Sequence, residues 1–173
     1  MAAMLIAMAG LPGSGKSSVA RELARMLPAA HFAVDDFEDA MLRAGLPNSY
    51  EVGLAAYLAA EAAAAANLAI GAHVVVDAVN DHPYARGQWE RLAQRAGVEL
   101  VYVEVRCSDE GLHRLRLEQR ERGYRALPEP TWESLLPRRQ ALLDWVGERI
   151  AVDTANANPV EIATRLARWL QPE

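Results

Sequence analysis

Short apolar runs alternate with longer amphipathic stretches along this chain. The five runs have the sequences MLIAMAG, HFAVDD, HVVVDAV, VELVYVEV and RIAVDT. They are almost continuously hydrophobic, as expected of parallel strands that are covered on both faces. The stretches with helical periodicity lie at residues 17–27, from 37 to about 70, and at 83–96, 109–122, 131–145 and 159–170. The alternation predicts a three-layer α/β fold in which helices flank a five-stranded parallel sheet.

Two apolar segments need a choice between interpretations. Residues 1–9 lack a charged leader and a cleavage site, so we interpret them as the first buried strand rather than a signal peptide. Four polar or glycine residues interrupt the run at 55–76, which argues against a membrane span. These residues are Glu61, Asn67, Gly71 and His73. The alanine-rich part at 61–66 is predicted to be a tightly packed helix, because alanine is the strongest helix former.

Composition narrows the range of partners. The 173 residues fit one domain, so we treat residues 1–173 as a single unit. The net charge is −5, and stable nucleic-acid binding would need a basic field instead. Cys107 is the only cysteine, which rules out an internal disulfide and suits a reducing cytosol. We expect a cytoplasmic protein whose partners are small molecules rather than nucleic acids or membranes.

The octet GLPGSGKS at residues 10–17 matches the pattern GxxxxGK[ST]. It lies between a hydrophobic run and an amphipathic stretch, which is the context that this motif requires. Glycines let main-chain N–H groups turn towards an anion, and the start of the next helix adds a positive dipole. We therefore expect the phosphates of ATP or GTP to bind here. The predicted nucleotide-binding residues are Gly10, Leu11, Pro12, Gly13, Ser14, Gly15, Lys16, Ser17 and Ser18.

Three residues are predicted to neutralise the charge of the phosphates, either directly or by binding Mg²⁺. Lys16 can reach the β- and γ-phosphates, and Ser17 offers a hydroxyl ligand for Mg²⁺. Asp77 ends the run HVVVDAV, whose strand should neighbour that of the P-loop. Its carboxylate could hold Mg²⁺ directly or through water, and a loop or helix-capping role is the alternative.

Asp35 and Asp36 end the run HFAVDD, at the edge of the sheet where α/β folds bind ligands. We assign Asp35 as the base that accepts the proton of an acceptor hydroxyl. Asp36 is predicted to cap the helix that begins near Phe37. The alternative is that both aspartates are only caps.

The segment from Asp35 to Asp77 is predicted to form the acceptor pocket, and it is acidic. Apart from His73 its one cation is Arg43. A phosphorylated acceptor would normally be held by arginine forks, so we expect a neutral or cationic acceptor. The acids are Asp35, Asp36, Glu38, Asp39, Glu51, Glu61 and Asp77.

Six arginines lie from residue 106 to residue 125, after the fourth run. Charge-dense helices are usually only solvated. Here a predicted mobile loop at 123–130 follows, so we expect a lid region at about 109–130 that folds over the nucleotide. Arg120 and Arg122 are the candidates for neutralising the phosphoryl group in transit. After the fifth run, Asp153 and Thr154 are predicted either to contact the nucleotide base or to cap a helix.

Several segments resemble the chloramphenicol phosphotransferase group of small P-loop kinases, and more distantly phage polynucleotide kinase and zeta-toxin-type kinases. They are FAVDDFEDAM, HVVVDAV, LVYVEVRC and AVDTANANPVEIA. The resemblance implies a P-loop NTPase fold, with Asp35 as the catalytic base and Lys16 and Ser17 as the P-loop lysine and serine. The P-loop itself has the general kinase form. Glu38 stands where polynucleotide kinase has an arginine for the nucleic-acid phosphate.

The combined prediction is an ATP-dependent kinase that transfers the γ-phosphate to a hydroxyl of a neutral or cationic small molecule, such as an antibiotic or a metabolite. Two alternatives stay open. One is a 5′-hydroxyl kinase that acts on oligonucleotides. The other is a nucleotide-dependent binding switch without a dedicated acceptor.

Overall fold

Five parallel strands form one sheet in the computed structural model, which describes residues 2–171. The strands are β1 (Met4–Ala9), β2 (Ala30–Ala33), β3 (Val74–Asp77), β4 (Glu99–Arg106) and β5 (Ile150–Asp153). Their order across the sheet is β2-β3-β1-β4-β5, and every neighbouring pair is parallel. The predicted α/β fold with a five-stranded parallel sheet is confirmed.

Seven α-helices cover this sheet in the described chain. They are α1 (Lys16–Met26), α2 (Val34–Arg43), α3 (Tyr50–Ala69), α4 (Pro83–Ala96), α5 (Glu110–Gln119), α6 (Leu136–Leu143) and α7 (Pro159–Leu170). Helices α1 and α7 share a core cluster with one face of the sheet. Helices α3 and α4 share a second cluster with the other face, and α2 packs on α3. The result is the three-layer arrangement that the sequence predicts.

Local sequence explains where α4 and α7 begin. His82 and Asn158 occupy the N-cap positions, and each side chain accepts a hydrogen bond from the first turn of its helix. A proline follows each cap, where its fixed φ and missing N–H cost nothing. Both helices therefore have the predicted bounds.

Two predicted boundaries are wrong. Strand β2 stops at Ala33 and α2 begins at once, so Asp35 and Asp36 lie in the first turn of α2 rather than at the end of a strand. Carboxylates in a first turn interact favourably with the helix dipole, which favours this earlier start. The N-cap position is Ala33 and no side chain caps the helix, so the capping role predicted for Asp36 is also wrong.

The second wrong boundary concerns the helix predicted at 131–145. The chain instead forms a 3₁₀ turn at Glu133–Leu135 and then α6. Pro137 lies in the first turn of α6, the helical position that best tolerates a residue without an N–H.

Helix α3 is long and apolar enough, by length and composition, to cross a membrane. The polar and glycine interruptions were expected to argue against a membrane span, but by length and composition alone they do not exclude one. The core helix of a globular protein meets the same criterion. One face of α3 is buried and the helix contacts α2, α4 and the sheet. The buried residues are Val52, Ala56, Ala60, Ala64 and Leu68.

The strand order brings the predicted functional residues to one edge of the sheet. Because β3 lies beside β1, Asp77 is level with Met8, just before the P-loop. On its other side Asp77 is level with Ala33, two residues before Asp35. The P-loop, Asp77 and the start of α2 thus meet at the carboxyl ends of three adjacent strands.

Candidate active site

Residues 10–15 connect β1 to α1 in a turn that depends on glycine. Gly10, Gly13 and Gly15 have φ values of 141°, 83° and 89°. At Gly10 a β-carbon would lie 2.3 Å from the carbonyl oxygen of Val105 in β4, so no larger residue fits. Gly15 is the N-cap of α1, and no side chain caps that helix. The uncapped N–H groups of the first turn form a cradle that suits a phosphate chain.

A buried ion pair lies beside this cradle. Lys16 Nζ is 2.6 Å from Asp77 Oδ1, and only 11% and 2% of the two side chains are exposed. Burial alone would raise the pKa of Asp77, but the Lys16 ammonium and the Ser17 hydroxyl hold that pKa below its ordinary value. Asp77 is therefore ionised at neutral pH. A triphosphate that entered the cradle would compete with it for the ammonium group.

The Ser17 hydroxyl hydrogen-bonds to Asp77, so the two predicted magnesium ligands lie side by side. No group of three or more histidine, cysteine, aspartate or glutamate residues with metal-binding geometry occurs within residues 2–171. A metal at this position would take its remaining ligands from water and phosphate oxygens, which is the usual arrangement for Mg²⁺. One hydroxyl and one carboxylate beside a phosphate cradle fit that ion.

Side chains from two other segments hold the carbonyl groups of the P-loop. His113 of α5 contacts Pro12 O through Nε2 at 2.9 Å. Thr154, just after β5, donates to Ser14 O at 2.7 Å, and Arg116 donates to Thr154 Oγ1 at 2.8 Å. Burial lowers the pKa of His113, so its ring is neutral and can donate from Nε2. These bonds hold the P-loop through its carbonyl oxygens and leave its main-chain N–H groups available for a ligand.

Sequence reasoning did not single out His113 or Arg116. His113 is 101 positions away from Pro12, and no local pattern reports such a contact. Arg116 was one of several arginines on a charged helix, and nothing distinguished it from its neighbours. Thr154 was singled out from the sequence only because it is a polar residue at the end of the fifth apolar run.

Asp153 joins the ends of β4 and β5. Its Oδ1 accepts hydrogen bonds from Ser108 N at 3.0 Å and from Ala155 N at 2.9 Å. The helix-capping alternative for Asp153 and Thr154 is wrong, because α7 begins only at Pro159, five residues after Thr154, and Asn158 caps it. Contact with a nucleotide base stays a prediction for both residues.

The structure brings the predicted base and the predicted lid arginines together. Arg122 forms an ion pair with Asp35, which is 87 positions earlier in the chain. Arg122 Nε also donates to Glu129 Oε1 at 2.8 Å. Arg120 Nε donates to the other oxygen of Glu129 at 2.6 Å. Glu129, which sequence reasoning missed, thus holds both arginines at the acceptor side of the site.

Glu38 lies one helical turn after Asp35 and is half-buried. Burial and the neighbouring Asp35 raise the pKa of Glu38. The Glu38 carboxylate lies beside Gly53 of α3, where a β-carbon would be 3.7 Å from Oε1, an ordinary contact distance. Within residues 2–171 the Glu38 carboxylate has no hydrogen bond or ion pair, which makes it a candidate contact for a ligand.

Residues 5–142 of the chain match the family model described as AAA domain. The chain belongs to this AAA domain family. No curated protein matches it by sequence. Among solved structures, a candidate kinase from Chloroflexus aurantiacus J-10-fl has a TM-score of 0.75 and 19% identity, with 99% of this chain and 100% of that chain covered.

Two other solved structures similar to this AAA domain protein have more specific names. The APS kinase CysC from Mycobacterium tuberculosis, in complex with AMPPNP and APS, has a TM-score of 0.68, 20% identity and 98% coverage of each chain. A gluconokinase from Sinorhizobium meliloti 1021 has a TM-score of 0.61 and 25% identity, with 96% of this chain and 95% of that chain covered. These likenesses confirm the P-loop NTPase fold. The narrower resemblance to the chloramphenicol phosphotransferase group stays a prediction.

Replacing Thr154 by valine should loosen the P-loop. Valine has nearly the same shape but cannot donate to Ser14 O or accept from Arg116. We expect the free energy of unfolding, measured by urea denaturation, to fall by about 1–3 kcal/mol, the usual cost of leaving buried polar groups without partners.

The matched control is Thr164→Val, at an exposed hydroxyl that donates to Val160 O within α7. It should change the free energy of unfolding by less than about 0.5 kcal/mol. Equally small changes in the two variants would contradict the bracing role of Thr154.

Proposed function

We propose that this protein is an ATP-dependent kinase that transfers the γ-phosphate to a hydroxyl group of a neutral or cationic small molecule. The observation that carries the proposal is that Asp35 and Arg122 lie at the same edge of the sheet as the P-loop, Lys16 and Asp77. A phosphate cradle alone would also suit a binding switch. A carboxylate on the acceptor side supplies the base that transfer to a hydroxyl requires.

The mechanism assigns each group a role that its position allows. The P-loop N–H groups and Lys16 hold the phosphates, and Ser17 and Asp77 would hold Mg²⁺, whose charge offsets that of the phosphates. Asp35 takes the proton of the acceptor hydroxyl as its oxygen bonds to the γ-phosphorus and the bond to the ADP oxygen breaks. Arg122 now occupies a carboxylate oxygen of Asp35. We therefore expect Arg122 to move towards the phosphoryl group before transfer.

The charges on the acceptor side favour a neutral or cationic acceptor. Two arginines from outside the segment between β2 and β3, Arg120 and Arg122, do lie on the acceptor side. The sequence prediction counted only the charges within that segment and so did not include them. However, Arg120 and Arg122 are already matched by Glu129 and Asp35. Glu38 is left to interact with the acceptor. Hydroxyl or ammonium groups would satisfy its carboxylate, whereas a phosphate group would be repelled.

Asp35→Asn should abolish transfer but preserve binding of magnesium-ATP. The amide has the size of the carboxylate but cannot take a proton, and loss of a general base typically lowers a rate by about 10²–10⁴-fold. Transfer of label from ATP and calorimetric titration with magnesium-ATP measure the two properties. The control Asp144→Asn, at an exposed position at the end of α6, should retain both. Full turnover by Asp35→Asn would remove the assignment of the base.

A panel of acceptors tests the predicted charge of the substrate. The protein is incubated with labelled ATP, magnesium and a library of neutral polyols, amine-bearing antibiotics, phosphorylated metabolites and a 5′-hydroxyl oligonucleotide. We expect label on neutral or amine-bearing compounds, and we expect Glu38→Gln to raise KM for that acceptor more than for ATP. Preferential labelling of phosphorylated compounds would contradict the charge argument. Preferential labelling of the oligonucleotide would favour the polynucleotide kinase alternative.

A further inference from the structure

After α5 ends at Gln119, the chain runs without regular secondary structure towards the 3₁₀ turn at Glu133–Leu135. Residues 122–127 of this stretch, here called the docking segment, lie against α2. Main-chain groups outside helices and strands need other hydrogen-bond partners. What holds the docking segment on α2 therefore decides where Arg122 lies.

Asp39 of α2 supplies these partners. Its Oδ1 accepts hydrogen bonds from three successive main-chain N–H groups, those of Arg125, Ala126 and Leu127, at 3.0, 2.8 and 3.0 Å. Its Oδ2 lies 3.0 Å from Arg43 Nε. Asp39 is buried. The hydrogen bond from Ala126 and those from the two adjacent N–H groups outweigh burial and hold the pKa of Asp39 below its ordinary value.

Two further contacts run along α2 in the same order as the docking segment. Arg122 pairs with Asp35, and the Tyr124 hydroxyl donates to Asp36 Oδ1 at 2.7 Å. The Arg122 guanidinium also lies over the Tyr124 ring, 4.4 Å from its centroid. Three carboxylates of one helix thus bind consecutive parts of the segment.

The three contacts differ in what the proposed reaction requires of them. The bond from Arg122 to Asp35 has to break before Asp35 can take a proton, so it cannot be a permanent anchor. The hydrogen bond from Tyr124 goes to Asp36, whose carboxylate is exposed, so water competes for it. Asp39 binds main-chain groups and does not touch Arg122, so its contacts can persist while the arginine changes partners.

We propose that Asp39 is a positioning residue that docks residues 122–127 on α2 and thereby keeps Arg122 within reach of the reacting phosphoryl group. The proposal rests on the kinase function proposed above. It adds that one carboxylate provides the anchor and another provides the base, four residues apart on the same face of α2.

Limited proteolysis tests the docking without any knowledge of the acceptor. Trypsin cleaves after arginine, and Arg120, Arg122 and Arg125 lie in or beside the docking segment. Mass spectrometry measures the rate of cleavage at these three positions. We expect this rate to be roughly tenfold higher in Asp39→Ala than in the wild type, because cleavage follows the population of molecules in which the docking segment has left α2. Asp39→Asn keeps an oxygen that can accept the three N–H groups and should restore most of the protection. Arg43→Ala, which leaves those three bonds intact, is the control and should be cleaved at the wild-type rate.

Kinetics separate positioning from a general structural role. In Asp39→Ala we expect kcat for transfer to fall by about tenfold or more. The KM for ATP and the Kd for magnesium-ATP should stay close to those of the wild type, and the thermal unfolding midpoint should fall by only a few degrees. Asp39→Asn should recover most of kcat and of the unfolding midpoint.

Two results would overturn the proposal. One is an unchanged cleavage rate at the three arginines in Asp39→Ala. The other is faster cleavage throughout the chain together with a lower unfolding midpoint in both Asp39 variants, which would show that Asp39 supports the whole fold. If the wild type transfers no phosphate at all but Asp39→Ala releases the docking segment, the docking is upheld and the kinase function fails.

Discussion

The position of Gly10 between two neighbouring segments fixes the geometry of the whole site. On one side a β-carbon would overlap Val105 O of β4. On the other side Gly10 N donates to Val79 O at 3.1 Å. Asn80 follows in the same loop, and its side chain donates to Met8 O at 2.6 Å and accepts from Trp89 Nε1 at 2.9 Å. The start of the P-loop is thus tied to the loop that directly follows Asp77, which helps to bring Lys16 and Asp77 together.

The charged groups to which the proposed mechanism gives a role in transfer already have partners of opposite charge. Lys16 pairs with Asp77, and Arg122 pairs with Asp35 and Glu129. A buried charge without a partner would be costly, so these pairs allow the reactive groups to be present without destabilising the fold. Binding of a triphosphate and an acceptor would then exchange one set of partners for another. Among the four acidic residues of α2, Glu38 alone has no hydrogen bond or ion pair, and it is the proposed contact for the acceptor.

The parts of the structure that local patterns determine could be predicted from the sequence. Continuous apolar runs gave the strands, and the glycines and lysine of residues 10–17 gave the P-loop. The strand that ends at Asp77 was predicted to lie beside that of the P-loop, as it does, but the ion pair between Asp77 and Lys16 was not predicted. The start of α2 could not be predicted in the same way, because two aspartates favour a helix cap and a first helical turn almost equally well.

Contacts between distant segments were beyond the reach of sequence patterns. His113 and Thr154 hold the P-loop from positions about one hundred residues or more away. Asp39 was counted only as one acid among several in an acidic segment, and its role emerges when residues 125–127 are seen to point their N–H groups at it. The role of Glu129 likewise becomes visible only in the structure, where Arg120 and Arg122 donate hydrogen bonds to its carboxylate.

Whether the P-loop binds a nucleoside triphosphate is measured by calorimetric titration of the folded protein with magnesium-ATP, with Lys16→Met as the comparison. We expect saturable binding to one site in the wild type. Removing the ammonium group should weaken this binding by at least about tenfold, since a charge-assisted hydrogen bond contributes about 1.5–3 kcal/mol. If well-folded wild-type protein bound no magnesium-ATP, or if the two proteins bound it equally well, the P-loop would not be the nucleotide site and the kinase function would fail.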